Sequence, residues 1–359
     1  MLPESLLIKP VSASCNLSCQ YCFYLGKSEL YPERPGHMSD EVLEEMVSQF
    51  MGMTSKQAAF SWQGGEPLLA GLEFYQRAIQ LQKKYGRGHV VSNSFQTNGT
   101  RLNENWTEFF RKYKFLVGIS LDGPKEIHDH YRRKRGGGST YDDVMAGIEL
   151  LKDGRVDFNV LSVVNDVSAR KPVEIYEFLR GQGINFLQFV PCLEWNREGD
   201  SPTEFSVGPR EYGDFLCKIF DLWVRDYPEV YVRLFNSVLA MRLGMGRGLC
   251  TLGPACGEYV VVEHNGDVYP CDFFVEPETL LGNIMETPLR TIVEGTDLLS
   301  FARKKSSLEE KCRNCKWVDL CFGGCQYHRR NSPRSFFCSS YERFFDYAEG
   351  GFLKIESSL

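Results

Sequence analysis

Three cysteines near the start of the chain have the spacing that most directly indicates chemistry. They are Cys15, Cys19 and Cys22, in the stretch CNLSCQYC, with the spacing C-x3-C-x2-C. Thiolates this close together hold zinc or an iron–sulfur cluster. A structural zinc site needs four ligands, and no histidine or further cysteine follows at ligand spacing. A [4Fe–4S] cluster held by three cysteines leaves one iron open to a small molecule, and we favour it over three buried, inert thiols.

A second group of cysteines lies in the last third of the chain. Eight cysteines occur between Cys250 and Cys338, including the run CRNCKWVDLCFGGC at 312–325. Eight thiols make two four-ligand sites, and either two zinc ions or two iron–sulfur clusters satisfy that number. Cys192 and Cys217 have apolar neighbours and are predicted to be core residues.

The stretch EYVVVEHNGDVYPC predicts a β-hairpin that ends in Cys271. Asn265–Gly266 is typical of a two-residue type I′ turn, and centring on it places residue 260 opposite Cys271. Cys256 lies an even number of residues away on the same strand, so the two thiols are predicted to share a face. Asp272 follows directly and is the predicted acid–base residue, because a neighbouring metal ligand would hold its carboxylate in place. The alternative is a solvated turn carboxylate.

Composition excludes several classes of function. The chain has 359 residues, of which 43% are hydrophobic and 25% charged, and its formal net charge is −6. These values are typical of a globular protein. They show no excess of basic residues of the kind that binds nucleic acid. We see neither a signal peptide nor an apolar run long enough to span a membrane. We therefore expect a cytoplasmic protein, in which thirteen cysteines serve metal binding or chemistry rather than disulfides.

The elements that must position these residues are predicted by an alternation of β-rich and helical patterns, which is typical of repeated βα units. Predicted strands cover residues 6–10, 58–63, 89–96, 115–120, 157–164 and 185–190. Predicted helices cover residues 40–51, 71–84, 104–112, 141–152 and 172–181. A full eight-unit barrel needs about 250 residues, so these units predict a partial barrel. Helices at 210–225 and 231–243 then lead into a loop-rich segment from residue 250.

The first cysteine motif resembles the CxxxCxxC motif of the radical S-adenosylmethionine enzymes. In that family the open iron binds S-adenosylmethionine, whose cleavage by one electron gives a 5′-deoxyadenosyl radical. QGGEP (63–67), QTNGT (96–100) and SLDGP (120–124) resemble family segments that line the cofactor pocket. The resemblance implies a partial (β/α)6 barrel and S-adenosylmethionine contacts from Tyr21, Gly65, Ser120, Arg132 and Leu193. Taken alone, GGEP is only a turn, and Arg132 is a solvated charge in the run YRRKR.

The later cysteines resemble the SPASM extension of such enzymes, which carries two auxiliary [4Fe–4S] clusters. The resemblance implies one cluster on Cys250, Cys256, Cys271 and Cys325 and another on Cys312, Cys315, Cys321 and Cys338, hence three [4Fe–4S] clusters in all. The predicted organisation is a partial barrel at 1–205, a helical bridge at 206–245, a SPASM domain with little regular structure at 246–345 and a C-terminal tail at 346–359.

Within the SPASM group the chain is most similar to the anaerobic sulfatase-maturating enzymes, through SLLIKP, SWQGGEPLLAGLEFY, VGISLDGPKEIH and VYPCDF. The resemblance implies oxygen-independent oxidation of an active-site cysteine or serine of a sulfatase to Cα-formylglycine, with Asp272 taking the thiol or hydroxyl proton. The implied partners are an unfolded or nascent sulfatase polypeptide and an electron donor such as ferredoxin or flavodoxin, without nucleic acid or membrane. Tyr24 and His128 occupy family-like positions near the pocket without a predicted role.

Two other functions fit parts of the sequence. A thioether-forming peptide maturase shares the radical motif and the SPASM cysteines, but it usually carries a leader-peptide domain before the barrel, whereas this motif begins at residue 15. A zinc-stabilised binding protein would use the eight later cysteines and leave the first three without a role. The segment LEWNREGDSPTEF (193–205) is expected to shape substrate choice.

Overall fold

The computed structural model describes residues 2–31, 36–54, 56–196 and 198–359. Its strands are β1 (Ser5–Lys9), β2 (Gln57–Trp62), β3 (Val90–Thr97), β4 (Leu116–Ser120), β5 (Phe158–Val164), β6 (Phe186–Pro191), β7 (Tyr231–Val232), β8 (Tyr259–Glu263), β9 (Asp267–Tyr269) and β10 (Gly282–Asn283).

Helices follow most of these strands. They are α1 (Asp40–Met53), α2 (Leu72–Tyr85), α3 (Glu104–Tyr113), α4 (Lys125–Tyr131), α5 (Tyr141–Asp153), α6 (Pro172–Gly181), α7 (Pro209–Asp226), α8 (Arg233–Arg242), α9 (Leu289–Glu294), α10 (Thr296–Ser306), α11 (Glu310–Arg313), α12 (Val318–Cys321) and α13 (Cys338–Glu356). The predicted βα alternation is confirmed, with each predicted strand within one residue of its observed bounds. Within the described residues, no helix is both long and apolar enough to cross a membrane.

The chain divides into two compact units. The first contains Met1–Ser120, Arg132–Phe158 and Gly257–Ala302, and the second contains Leu121–Tyr131, Asn159–Cys256 and Arg303–Leu359. In the first unit the strand order is β10-β9-β8-β1-β2-β3-β4. β1 pairs in parallel with β2 on one side and with β8 on the other, so a strand from the later cysteine-rich segment lies beside the first strand of the chain.

Helix α1 illustrates why these segments fold as predicted. Ser39 caps it by accepting a hydrogen bond from Val42 N at 3.3 Å, and the acidic Asp40 and Glu41 occupy its first turn, where the helix dipole favours negative charge. Its buried residues recur at helical spacing and form one apolar face: Val42, Leu43, Met46, Val47, Phe50, Met51 and Met53. Inward-facing aromatic residues of β2 and β3 complete the core of this unit, with Phe60 stacked on Trp62 at 6.1 Å.

The second unit has its own strands and its own core. β6 pairs in parallel with β5 and with β7. Aromatic residues of α7, α8 and α13 pack together, with the Phe220 ring centroid 5.4 Å from Phe235 and 4.8 Å from Phe352. Most of the segment 346–359, predicted as a tail, belongs to α13, which buries Ala348, Phe352 and Ile355 of that segment. The predicted domain limits stay a prediction.

The β8–β9 hairpin has a register one residue away from the predicted one. Val261 pairs with Tyr269 and Val262 with Val268, which places Tyr259, not residue 260, opposite Cys271. The prediction was wrong because the loop has three residues: Gly266 has φ +91°, whereas Asn265 lacks the positive φ that a type I′ turn requires. β8 also begins at Tyr259, so Cys256 lies outside the strand and the argument for a shared face fails.

Candidate active site

The three N-terminal cysteines lie on the loop that follows β1. The Cys15 sulfur accepts hydrogen bonds from Leu17 N at 3.3 Å and from Asn98 Nδ2 at 3.7 Å. Burial raises the pKa of the Cys15 thiol to about 11, and the Leu17 N–H opposes this shift. Hydrogen bonds to sulfur are among the interactions that tune cysteine ligands of iron–sulfur clusters, so the loop fits a cluster.

The QGGEP segment packs directly against this cysteine loop. Gly65 N donates to Ser12 O at 2.7 Å, and Glu66 N donates to Ser14 O at 2.8 Å. A Cβ on Gly65 would lie 2.0 Å from Ser14 O. Gly65 is a predicted contact of S-adenosylmethionine, and a glycine at such a contact lets a cofactor approach the backbone closely. The structure gives it a second reason, since two segments of the protein meet at this point.

Glu66 is a buried carboxylate that sequence reasoning did not single out. It accepts hydrogen bonds from Thr97 Oγ1 at 2.7 Å, from Asn98 N at 2.8 Å and from Leu68 N at 3.0 Å. Burial raises its pKa to about 7, while these hydrogen bonds oppose the shift. Glu66 thereby ties QGGEP to QTNGT and positions Asn98, which contacts Cys15. The available signal was an acidic residue in a motif that directly follows a buried strand.

Four of the five predicted cofactor contacts belong to the first unit. Tyr21, Ser120 and Arg132 are buried, and the Arg132 guanidinium carbon lies 5.4 Å from the Tyr21 ring centroid. Arg132 is only 7% exposed, so it is not the solvated charge considered from the sequence. The fourth is Gly65, described above. The fifth, Leu193, is a buried residue of the second unit. All five stay predicted contacts.

Asp272 lies directly after Cys271 and is held from two sides. Its Oδ2 accepts a hydrogen bond from Gln63 Nε2 at 3.2 Å, and its Oδ1 accepts one from the Tyr259 hydroxyl at 3.0 Å. The Tyr259 oxygen also lies 3.3 Å from the Cys271 sulfur. The carboxylate is thus oriented by neutral donors rather than free in solvent.

A buried lysine lies among the charged groups around Asp272. Lys9 is 1% exposed, and its Nζ lies 4.3 Å from the Tyr24 ring centroid. Burial lowers its pKa, while the carboxylates of Asp272 and Glu263 oppose the shift. The Tyr24 hydroxyl donates a hydrogen bond to the fully buried Glu263, which gives Tyr24 a structural role. Lys9 and Glu263 come together because β1 pairs with β8, which the sequence patterns did not reveal.

His128 and the segment 193–205 belong to the second unit. His128 is fully buried, and its Nδ1 accepts a hydrogen bond from Asp122 N at 3.3 Å, which supports the SLDGP turn. In the segment 193–205, Trp195 forms an isolated bridge with Pro202. Arg197 of that segment lies outside the described residues.

Four of the later cysteines line one cavity of the second unit. The cavity has a volume of about 680 Å³, and Trp317 and Phe345 are part of its wall. Its cysteines are the predicted ligands of one auxiliary cluster: Cys312, Cys315, Cys321 and Cys338. Burial raises the pKa of Cys321 to about 12. Four thiols around one space of this size fit a [4Fe–4S] cluster.

Three further cysteines of the second unit, Cys250, Cys256 and Cys325, lie near a buried cation. Lys305 is 1% exposed; its Nζ donates to Thr251 O at 3.2 Å and also to Cys250 O. Burial raises the pKa of Cys256 to about 12, and Lys305 opposes this shift. A cation among thiols suits ligands that carry negative charge. Among the described residues, no group of three or more His, Cys, Asp or Glu side chains is placed so that it could hold a single metal ion.

The remaining two cysteines are buried, as predicted for core residues. Cys192 is 5% exposed and Cys217 is 7% exposed.

Comparison with known proteins identifies two families along the chain. Residues 10–179 match the Radical SAM superfamily, and residues 250–316 match SPASM, an iron-sulfur cluster-binding domain. These matches confirm the predicted fold class and the radical enzyme class.

Individual relatives extend over nearly the whole chain. A serine-type anaerobic sulfatase-maturating enzyme of Bacteroides thetaiotaomicron is 40% identical, covering 96% of this chain and 89% of the relative. A cysteine-type anaerobic sulfatase-maturating enzyme of Clostridium perfringens is 39% identical and covers both chains completely. A solved structure described as "Native anSMEcpe with bound AdoMet and Cp18Cys peptide" matches with a TM-score of 0.92 at 37% identity, covering 99% of each chain. The chain belongs to the anaerobic sulfatase-maturating enzymes of the radical S-adenosylmethionine superfamily.

Proposed function

We propose that this protein oxidises a cysteine or serine in a sulfatase polypeptide to Cα-formylglycine without oxygen. The observation that carries the proposal is Asp272, held by Gln63 and Tyr259 beside Cys271, in the same unit as the Cys15–Cys22 loop. A serine-type and a cysteine-type anaerobic sulfatase-maturating enzyme both match over nearly the full chain. The substrate is a polypeptide, in keeping with the peptide-bound structure to which the chain is similar.

The cofactors of the reaction are S-adenosylmethionine and three [4Fe–4S] clusters on the ligand sets predicted from the sequence. When bound, the group on Cys15, Cys19 and Cys22 supplies, with S-adenosylmethionine, the 5′-deoxyadenosyl radical that removes a Cβ hydrogen from the target. Tyr21, Gly65, Ser120, Arg132 and Leu193 are the proposed S-adenosylmethionine contacts. The Arg132 charge over the Tyr21 ring supports this assignment, because a buried cation suits the carboxylate of the cofactor.

Asp272 is the proposed base that accepts the thiol or hydroxyl proton of the target. Gln63 and Tyr259 donate to its two oxygens and hold them in fixed directions. Lys9, which is almost fully buried, lies among the charged groups around this carboxylate. The target must also give up one further electron, which an auxiliary cluster on the SPASM cysteines would accept when bound. A serine target then becomes the aldehyde directly. A cysteine target becomes a thioaldehyde, which water hydrolyses to the aldehyde and sulfide.

We also propose where the protein acts, what reduces it and which segment selects its target peptide. We expect the protein to act in the cytoplasm and to receive electrons from a ferredoxin or flavodoxin. The segment 193–205 is proposed to discriminate between target peptides, because the bridge of Trp195 with Pro202 gives it a defined turn.

The test is an anaerobic reaction followed by mass spectrometry. The protein, reconstituted with iron and sulfide, is mixed with S-adenosylmethionine, a reductant and a sulfatase-motif peptide carrying cysteine or serine at the target. We expect CHO to replace CH2–SH or CH2–OH, with 5′-deoxyadenosine released. A peptide that loses two hydrogens but keeps its sulfur would contradict the proposal and indicate thioether chemistry. An untouched peptide beside released deoxyadenosine would show a radical enzyme with another substrate.

A further inference from the structure

A basic pocket beside the cysteine loop has no part in the chemistry proposed above. It has a volume of about 460 Å³ and belongs to the first unit. The residues that line it are Asn16, Thr100, Arg101, Lys134, Arg135 and Asp143. Three cations thus face one carboxylate, although the chain as a whole has a net charge of −6. This concentration of positive charge indicates a negatively charged partner.

Two of the three cations of the pocket are available to such a partner. Arg101, Lys134 and Arg135 are all exposed. Lys134 pairs with Asp143 at 2.6 Å, which uses the only carboxylate among the lining residues. Within the part of the chain that the structure describes, Arg101 and Arg135 form no ion pair. Two guanidinium groups therefore remain free to bind carboxylates of another molecule.

The floor of the pocket leads directly to the first cysteine. Asn16 is the residue after Cys15, and its Nδ2 donates to Thr100 Oγ1 at 2.8 Å. Asn98 donates through Nδ2 to Asn16 Oδ1 at 3.0 Å and lies 3.7 Å from the Cys15 sulfur. Electron transfer slows steeply with distance, so a redox group above this floor would be separated from the Cys15 thiol by a single layer of side chains.

The basic wall of the pocket is fixed to the same loop. Ser18 N donates to Arg133 O at 2.8 Å, and Leu17 forms an antiparallel bridge with Lys134. Gly136 and Gly137, with φ of +97° and +96°, form the turn that follows. A wall held against the cysteine loop by backbone hydrogen bonds would keep a docked partner at a constant distance from Cys15.

We propose that this pocket is the docking surface for a small, acidic, one-electron carrier protein that reduces the cluster on Cys15, Cys19 and Cys22. The proposal rests on the function proposed above, because it requires that cluster. One electron leaves the reduced flavin or iron–sulfur centre of the carrier and enters the cluster, and no bond forms or breaks. An open surface with exposed cations suits the carboxylates of a protein face, and opposite charge accelerates a brief encounter.

The test compares two double variants that change the net charge equally. In the first, Arg101→Glu and Arg135→Glu reverse the pocket. In the control, Lys56→Glu and Arg87→Glu reverse two exposed cations of the same unit that precede β2 and β3, at the opposite ends of the strands from the pocket. Anaerobic stopped-flow absorbance measures the reduction of the reconstituted cluster by an acidic flavodoxin and by an acidic ferredoxin. Photoreduced 5-deazariboflavin, a small reductant without a protein surface, reports on the cluster itself.

We expect the pocket variant to be reduced by a carrier about tenfold more slowly than the unmodified protein at low ionic strength, with the control variant unaffected. About 0.5 M salt should remove most of the difference, because salt screens exposed charges. All three proteins should be reduced equally fast by 5-deazariboflavin. An effect on one carrier alone would support the proposal and identify the redox group that docks.

Three results would overturn the proposal: equal rates for the pocket variant and the unmodified protein with both carriers, an equal loss in the control variant, or an equal loss with 5-deazariboflavin. The proposed function is tested separately by the peptide product. A pocket-dependent reduction without aldehyde formation would reject the sulfatase substrate and keep the docking surface. Aldehyde formation together with a reduction rate that does not depend on the pocket would keep the sulfatase substrate and reject the docking surface.

Discussion

The two cysteine-bearing regions of the molecule are built in different ways. In the first unit, the loop of Cys15, Cys19 and Cys22 is held by backbone and side-chain hydrogen bonds and by the close packing of Gly65. In the second unit, Cys312 and Cys321 lie on the four-residue helices α11 and α12 and line a cavity of about 680 Å³. The first loop is organised by contacts within the protein. We expect the second region to depend on the cluster proposed for its cysteines, because metal binding can be coupled to folding.

Removing one cysteine from each region should separate the two cases most strongly. Cys15→Ala should abolish 5′-deoxyadenosine formation, while amide hydrogen exchange of the loop residues 15–22 stays within about twofold of the unmodified protein. Cys321→Ala should instead raise exchange of residues 310–323 at least about tenfold, because the short helices lose their central ligand. Anaerobic hydrogen-exchange mass spectrometry measures the exchange of both segments. The opposite pattern, with an unfolded first loop and an intact second region, would refute the comparison.

Asp272→Asn tests whether the ordered first unit carries the acid–base chemistry. We expect formylglycine formation to fall by about 10²- to 10⁴-fold, the usual range for a positioned base, while deoxyadenosine is still released. Tyr259→Phe is the matched variant, because it removes only one hydrogen bond to the carboxylate and should cost about 1 kcal/mol, or roughly fivefold. Quantitative mass spectrometry of peptide and nucleoside provides both rates. Unchanged aldehyde formation in Asp272→Asn would exclude Asp272 as the base.

Lys9→Met tests how much of the order in the first unit depends on a buried charge. We expect the variant to lose about 3 kcal/mol of unfolding free energy, because Glu263 and Asp272 would lose the cation buried beside them. Urea denaturation followed by tryptophan fluorescence measures the loss. Adding Glu263→Gln to the variant should restore part of it, since the amide removes one unpaired charge. A single variant as stable as the unmodified protein would show that the buried lysine is not required.

The pH dependence of stability should have opposite signs in the two units. Burial lowers the pKa of His328, in the second unit, from 6.5 to about 4, with the charge of Lys305 acting in the same direction. The unfolded chain therefore binds the proton first, so this contribution is complete above pH 6.5 and is lost as the pH falls toward 4. Glu66, in the first unit, has a pKa raised to about 7 and costs stability as the pH rises from about 4.5 to 7.

His328→Phe isolates the effect in the second unit, because the ring that replaces histidine can still pack against Phe337. Between pH 7 and pH 5 the unmodified protein should lose about 2 kcal/mol of unfolding free energy relative to the variant. Denaturation curves at both pH values measure the difference. Parallel loss in the two proteins would show that His328 is not buried in its neutral form.

The regular elements could be predicted from the sequence because local patterns specify them. The alternation of β-rich and helical patterns predicts β1 to β6 and most of the helices between them, and α1 begins at Asp40, as predicted. Short elements gave no such pattern: α4 has seven residues and β7 has two. The hairpin register was missed because the Asn265–Gly266 pair fits more than one turn, and only the backbone of Asn265 distinguishes them.

The site was predictable only where its residues carry a motif. Cysteine spacing and the position of Asp272 after Cys271 are visible in the sequence. The burial of Lys9 and Glu263 is not, because it follows from the pairing of β1 with β8, which are far apart in the chain. Nor can spacing alone show that Arg132 is buried while Arg133, Lys134 and Arg135 of the same run are exposed.

The most direct test of the central claim uses a target peptide with both Cβ hydrogens of its cysteine replaced by deuterium. The account predicts that one deuterium appears in 5′-deoxyadenosine and that the aldehyde retains the other, so both products are heavier by one mass unit. Deoxyadenosine without deuterium, formed beside an aldehyde or an unchanged peptide, would contradict the claim that the radical acts on the Cβ of the target.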